Sequence, residues 1–259
     1  MTSCKLLLYS INDFRIFSGN LLSTEPLTVE LPGADVGSFN DAVRLKLKWY
    51  ENTVTHTAEV KLISVSDNRL ELRIVSDVKH SESDSHFIEF KDHFEIVPAD
   101  DGNIADLRYR AEKLNNRFKS TLTNQIKKII TDESLTNQYI LKMLMSIDGK
   151  MDELLDSLKD EDTVEGITAR KMLSLGGDGL SFVYDSCGIK PGDMVYVQST
   201  PKTGSGLNFA AVCKITDVIP TGNTCICEAV FSNINDSTKE NIIHFVFQKD
   251  RENLKRNRS

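Results

Sequence analysis

Gly176-Gly177-Asp178-Gly179-Leu180-Ser181-Phe182 puts three glycines into four positions and then enters a strand pattern. Glycines let a backbone turn at positive φ and come close to a neighbouring strand or ligand. No helix pattern follows, so the stretch is not a dinucleotide-binding fingerprint. Gly188-Ile189-Lys190-Pro191-Gly192 reads as a turn, and Met194–Gln198, Asn208–Ile219 and Thr224–Phe231 read as further strands. Ser237-Thr238-Lys239-Glu240 has the spacing of a capping box and opens a last helix with Ile242, Ile243, Phe245, Val246 and Phe247. A basic tail, Lys249 to Arg258, follows. Strands closed into a barrel with one terminal helix is a compact solution for this length of chain.

Working outward, Ile140, Leu144, Ile147, Met151, Leu154 and Leu158 recur at alternating spacings of four and three. That is a heptad seam over nearly three repeats. Lys142, Asp148, Lys150, Asp152, Glu153 and Asp156 lie between them, while Leu141, Met143, Met145 and Leu155 widen the apolar face. A stripe that wide suits a bundle of more than two helices. Its other reading is an amphipathic helix lying on its own domain's core. Before it, Leu107, Ala111, Leu114, Phe118, Leu122, Ile126 and Ile129 predict a helix starting near Ala105. The Lys and Arg residues around them read as a solvated face. The acidic run Asp160–Glu165 reads as a linker.

Residues 1–100 are β-rich. Lys5–Tyr9, Leu27–Leu31, Val43–Trp49, Thr53–Val65, Arg69–Val75 and Phe87–Val97 alternate or are β-branched and aromatic, with turn formers between them. The pattern predicts a small antiparallel barrel or sandwich, with a hairpin across Ser66-Asp67-Asn68. His56, His80, His86 and His93 read as surface or strand-edge residues, and Trp49 as a core or sheet-face residue. The expected fold class is α+β. It has an N-terminal antiparallel β domain over residues 1–103, a helical connector over 104–160, and a C-terminal barrel over 161–259.

The 259-residue chain carries a net charge of −7, which argues against a protein built for nucleic-acid backbones. A small anion needs only a local patch. No apolar run reaches the roughly 18 residues needed to span a membrane, and Leu6–Tyr9 is too short for a secretion signal. The five scattered cysteines, Cys4, Cys187, Cys213, Cys225 and Cys227, fit a cytoplasmic protein and lack zinc-ligand spacing. No nucleophile–base pair, metal spacing or phosphate loop suggests an enzyme, and no cofactor is expected.

The step Gly179-Leu180-x-Phe182, the strand Pro191-Gly192-Asp193-Met194-Val195-Tyr196-Val197 and the terminal helix ending in Arg and Lys resemble, in that order, a PilZ domain. The resemblance covers roughly residues 164–256. It implies a six-stranded barrel of the kind that binds the bacterial second messenger cyclic di-GMP. With its heptad helix the whole chain resembles the atypical, tetramer-forming PilZ type, which implies a homotetramer, and the resemblance leaves the protein partner unnamed. Cyclic di-GMP-binding members carry R-x-x-x-R before the barrel and [D/N]-x-S-x-x-G in its first strand. Aligned on Gly179, Ser174 stands where the acid or amide belongs and Gly176 where serine belongs. Arg170-Lys171 is the only basic pair near the missing arginines. Losing two bidentate guanidinium forks removes charge-assisted bonds worth about 1.5–3 kcal/mol each, enough to take a micromolar site to about millimolar. The expectation is a non-enzymatic adaptor in cyclic di-GMP-linked control of motility or surface attachment, working through protein contacts. The alternative is a receptor whose site is rebuilt around Arg170, Lys171, Ser174, Gly176 and Gly179.

Overall fold

The computed structural model describes residues 2–32, 36–39, 41–51, 54–66, 68–81, 87–120, 147, 167–185, 188–199 and 207–256. Among them are two six-stranded antiparallel barrels and two helices.

The first barrel uses β1 (Thr2–Ser10), β2 (Asp13–Thr24), β3 (Leu27–Glu30), β4 (Arg44–Glu51), β5 (Val54–Ser66) and β6 (Arg69–Ile74). Its order is β4-β1-β2-β3-β6-β5, and β5 returns to β4 to close it. A short strand β7 (Lys79–Ser81) lies outside the ring, paired to β5. The expected hairpin is the β5–β6 pair, with Ser66 opposite Arg69. β2 lacks clean alternation and is missing from the strands read in the sequence. It pairs with β1 along its length across the turn Ile11-Asn12, where Asn12 takes a φ of 56°. Asn tolerates that left-handed conformation better than most residues.

The second barrel comprises β8 (Phe87–Ala99), β9 (Thr168–Gly176), β10 (Gly179–Tyr184), β11 (Met194–Ser199), β12 (Phe209–Pro220) and β13 (Cys225–Asn233). It closes in the order β10-β13-β12-β11-β8-β9. The strand Phe87–Ala99, grouped by its sequence position with residues 1–103, therefore belongs to the second barrel. It is bonded to β11 on one edge and β9 on the other. Alternation in a sequence shows that a strand exists but not which sheet takes it, because the partner here is more than 70 residues away.

Helix α1 (Ile104–Ser120) leaves the end of β8 and packs on the outside of this barrel. Leu107 and Ala111 are buried against Val97, Tyr196, Ala210 and Val212. Asn115 completes the contact by accepting from the Ala210 N–H at 2.9 Å and donating to its carbonyl at 2.7 Å. Helix α2 (Asp236–Arg256) sets Ile242 and Val246, both essentially inaccessible, into the core with Phe94, Phe182 and Phe209. Fully burying such side chains is worth about 1.5–3 kcal/mol each. The cap of α2 is Asn235, two residues before the predicted box: its Oδ1 accepts from the N–H and the hydroxyl of Thr238, both at 2.9 Å. The heptad positions Ile140, Leu144, Met151, Leu154 and Leu158 lie outside the described residues. Ile147 is helical and half exposed in the single chain. No helix among the described residues is long and apolar enough to cross a membrane.

Candidate functional site: the cleft between the barrels

The strand β1 explains how the barrels meet. Cys4, Leu6 and Leu8 point into the first barrel's core, while Leu7 and Tyr9 point the other way. The run Leu6–Tyr9 is continuously apolar because both of its faces are covered. Tyr9 and Phe14, their rings 5.0 Å apart, pack on Leu173, Val183, Ile219 and Ile226 of the second barrel.

An ionic cluster adjoins this apolar contact. Lys46 Nζ donates to Asp217 at 2.9 Å and to Glu228 at 2.7 Å, and Arg44 donates to Asp217 at 2.8 Å. Tyr9 donates its hydroxyl proton to Glu228. Burial, the Glu228 charge and that hydrogen bond push the Tyr9 phenol well above its ordinary range. Burial pushes the Asp217 carboxyl up, but Lys46, Arg44 and the Val218 amide more than reverse it and leave it below the usual value. On the other side of the β1–β2 hairpin, Glu89 accepts from the Ile16 N–H at 2.5 Å. Burial holds its carboxyl above the usual range despite that amide and Lys91. The hairpin tip is tied as well: Lys171 donates to the Asn12 carbonyl at 3.0 Å, and Thr224 to the Asn12 side chain at 2.6 Å.

Between the barrels lies a cleft of about 270 Å³. The first barrel contributes Lys5, Lys46 and Lys48 to its lining, and the second Ser174, Ser181 and Asp178. Ser174 and Ser181 face each other across β9 and β10, with hydroxyl oxygens 2.6 Å apart.

The sequence-predicted site residues are thus divided. Ser174 lines the cleft. Arg170 is paired with Asp185 and lies over the Tyr184 ring at 5.3 Å, and Lys171 is held by Asn12. Gly176 is buried at the end of β9. Gly179 owes its identity to packing: a Cβ there would stand 2.1 Å from the Ala229 carbonyl oxygen. Gly177 is similar, since a Cβ there would meet Ile243 of α2 at 2.7 Å. Aligned on Gly177 instead of Gly179, the pattern [D/N]-x-S-x-x-G keeps two of its three positions. In that register Ser174 and Gly177 match, and Met172 replaces the acid or amide. Met172 is buried in the second barrel's core, a setting that disfavours a carboxylate. Sequence reading missed Tyr9, Arg44, Lys46, Asp217 and Glu228. Arg44 and Lys46 do share a strand face by alternation, but the acids they meet on the second barrel, Asp217 and Glu228, are more than 170 residues away. Among the described residues, no group of three or more His, Cys, Asp and Glu side chains could hold a metal ion.

Solved structures similar to this chain include YcgR of Escherichia coli in complex with c-di-GMP, at 9 % identity and a TM-score of 0.38, covering 98 % of this chain and 87 % of that one. The Bacillus subtilis inhibitor of motility MotI/DgrA matches at 8 % identity and a TM-score of 0.36, covering 97 % of each chain. A tetrameric PilZ-domain protein of Xanthomonas campestris, self-assembled through a helical bundle, matches at 14 % identity and a TM-score of 0.40, covering 66 % of this chain and 89 % of that one. No protein-family model and no curated protein sequence matches the chain. The sequence resemblance to a PilZ domain implies a six-stranded barrel, and the second barrel closes with six strands.

Proposed function

We propose that this chain is a non-enzymatic signalling adaptor with a PilZ-like barrel, linked to cyclic di-GMP control of motility or surface attachment. It acts through protein contacts, and its usual nucleotide positions are degenerate. The link to cyclic di-GMP rests on the sequence resemblance at Gly179–Phe182 and Pro191–Val197. The observation that carries the degenerate-site reading is the engagement of Arg170 by Asp185 and of Lys171 by the Asn12 carbonyl. These are the two cations carried by the motif strand itself, and a phosphate would have to share each with a protein partner. The Lys171 contact also docks the barrels.

The reading includes self-assembly through residues 140–158, on the heptad spacing. The half exposure of Ile147 in the single chain is compatible with a helix completed by another copy. Changing Ile147 and Leu154 together to Asp places unpaired charge in the seam, at a cost of several kcal/mol. Light scattering is expected to show a multimer for the parent and a monomer for the double variant. An unchanged mass would remove assembly from the proposal. The rival reading, a cyclic di-GMP receptor with a rebuilt site, is favoured by the lysines and paired serines that line the cleft.

A further inference from the structure

The register of the first barrel aligns three side chains on adjacent strands. Trp49 of β4 stands opposite His56 of β5, and His56 stands opposite His80 of β7. The Trp49 and His56 rings are stacked, with centroids 5.2 Å apart and planes 12° from parallel. His80 meets His56 edge-on, at 4.8 Å and 89°. The Nδ1 atoms of the two histidines are 3.0 Å apart. Trp49 is buried, His56 partly so, and His80 is exposed, so the pair opens to solvent from a fixed base.

We propose that His56 and His80 form a two-imidazole site for a divalent transition metal with right-angled coordination, Cu²⁺ or Ni²⁺. Metal–imidazole bonds are about 2.0–2.1 Å long. Two nitrogens 3.0 Å apart then subtend about 91–97° at the metal. That is the cis angle of square-planar or octahedral ions. A tetrahedral zinc ion would need the nitrogens about 3.3 Å apart. A proton carried on either Nδ1 moves to Nε2 of its own ring, so both imidazoles bind neutral and no proton is lost. Among the described residues no third ligand joins the pair. Stacking on Trp49 restrains the His56 ring before the metal arrives, as an outer-shell partner does. A bound ion would fasten β7, which lies outside the closed barrel, to β5.

Trp49 is the chain's single tryptophan. Copper(II) chloride titrated into the full chain should therefore quench tryptophan emission saturably, at one ion per chain, and a chelator should restore it. Zinc chloride should compete only weakly. His80→Gln, at an exposed position, should raise the half-saturating copper concentration at least about tenfold, the scale of lost ligand support. Its unchanged emission maximum would show that the barrel is intact. Non-saturating quenching, or an unchanged titration of His80→Gln, overturns the proposal. Electron paramagnetic resonance of the parent with one equivalent of copper decides independently of any variant. Splitting from two imidazole nitrogens is expected, and coordination by fewer than two overturns the assignment.

Discussion

Lys46→Met tests whether the ionic cluster, together with its apolar neighbours, holds the barrels together. The Lys46 side chain is only 12 % exposed and bridges two carboxylates, Asp217 and Glu228, which are 30 % and 27 % exposed. Methionine keeps most of the aliphatic stem, so the change removes charge more than packing. Breaking a fully buried pair by deleting one partner costs about 3–5 kcal/mol. Here the orphaned acids keep some water, Asp217 retains Arg44 at 2.8 Å and Glu228 retains the Tyr9 hydroxyl. The expected loss is therefore about 2–3 kcal/mol. At about 2–4 °C per kcal/mol for a chain of this order, the melting temperature should fall by roughly 4–12 °C. Scanning calorimetry is the assay, because the first barrel should begin to melt ahead of the second once the cluster is broken. A double-mutant cycle with Glu228→Gln should return a coupling of about 1–2 kcal/mol. A variant within about 0.5 kcal/mol of the parent, or strictly additive single costs, would refute the argument.

Glu89→Gln should stabilise the protein at pH 7. A carboxyl whose folded pKa lies above its unfolded value of 4.5 contributes stability below pH 4.5 and loses it as pH rises through the folded value. Gln keeps an acceptor for the Ile16 amide, and the gain should vanish in melts near pH 4; a variant less stable than the parent at pH 7 would contradict this. Gly179→Ala should cost about 3 kcal/mol, because the added Cβ forces β10 away from the Ala229 carbonyl oxygen. An alanine variant with the parent's denaturant midpoint would show that the strand pair adjusts freely.

Strand existence was legible in this sequence wherever one face is buried. The alternation in β4 and β6 is clean: the buried Leu45, Leu47 and Trp49, and Leu70 and Leu72, alternate with polar residues. β2 was lost because its outer residues are mixed. β8 was seen as a strand but credited to the wrong barrel, since long-range pairing leaves no local mark. Leu6–Tyr9 carried a signal that went unread: four apolar residues in a row on a strand mean that both faces are covered. Cys225-Ile226-Cys227 carries the same signal. Its cysteines face the second barrel's core and Ile226 faces the first barrel. The glycines Gly177 and Gly179 were read for their freedom of approach. They are used for approach to Ile243 and to the β13 backbone.

The central claim is that the two cations on the motif strand, Arg170 and Lys171, are engaged by protein partners and give cyclic di-GMP no strong hold. Isothermal calorimetry of the purified chain with cyclic di-GMP tests it directly. The account predicts no saturable heat until ligand approaches the millimolar range. A saturable isotherm at micromolar ligand, abolished by substituting Arg170 or Lys171, would contradict it.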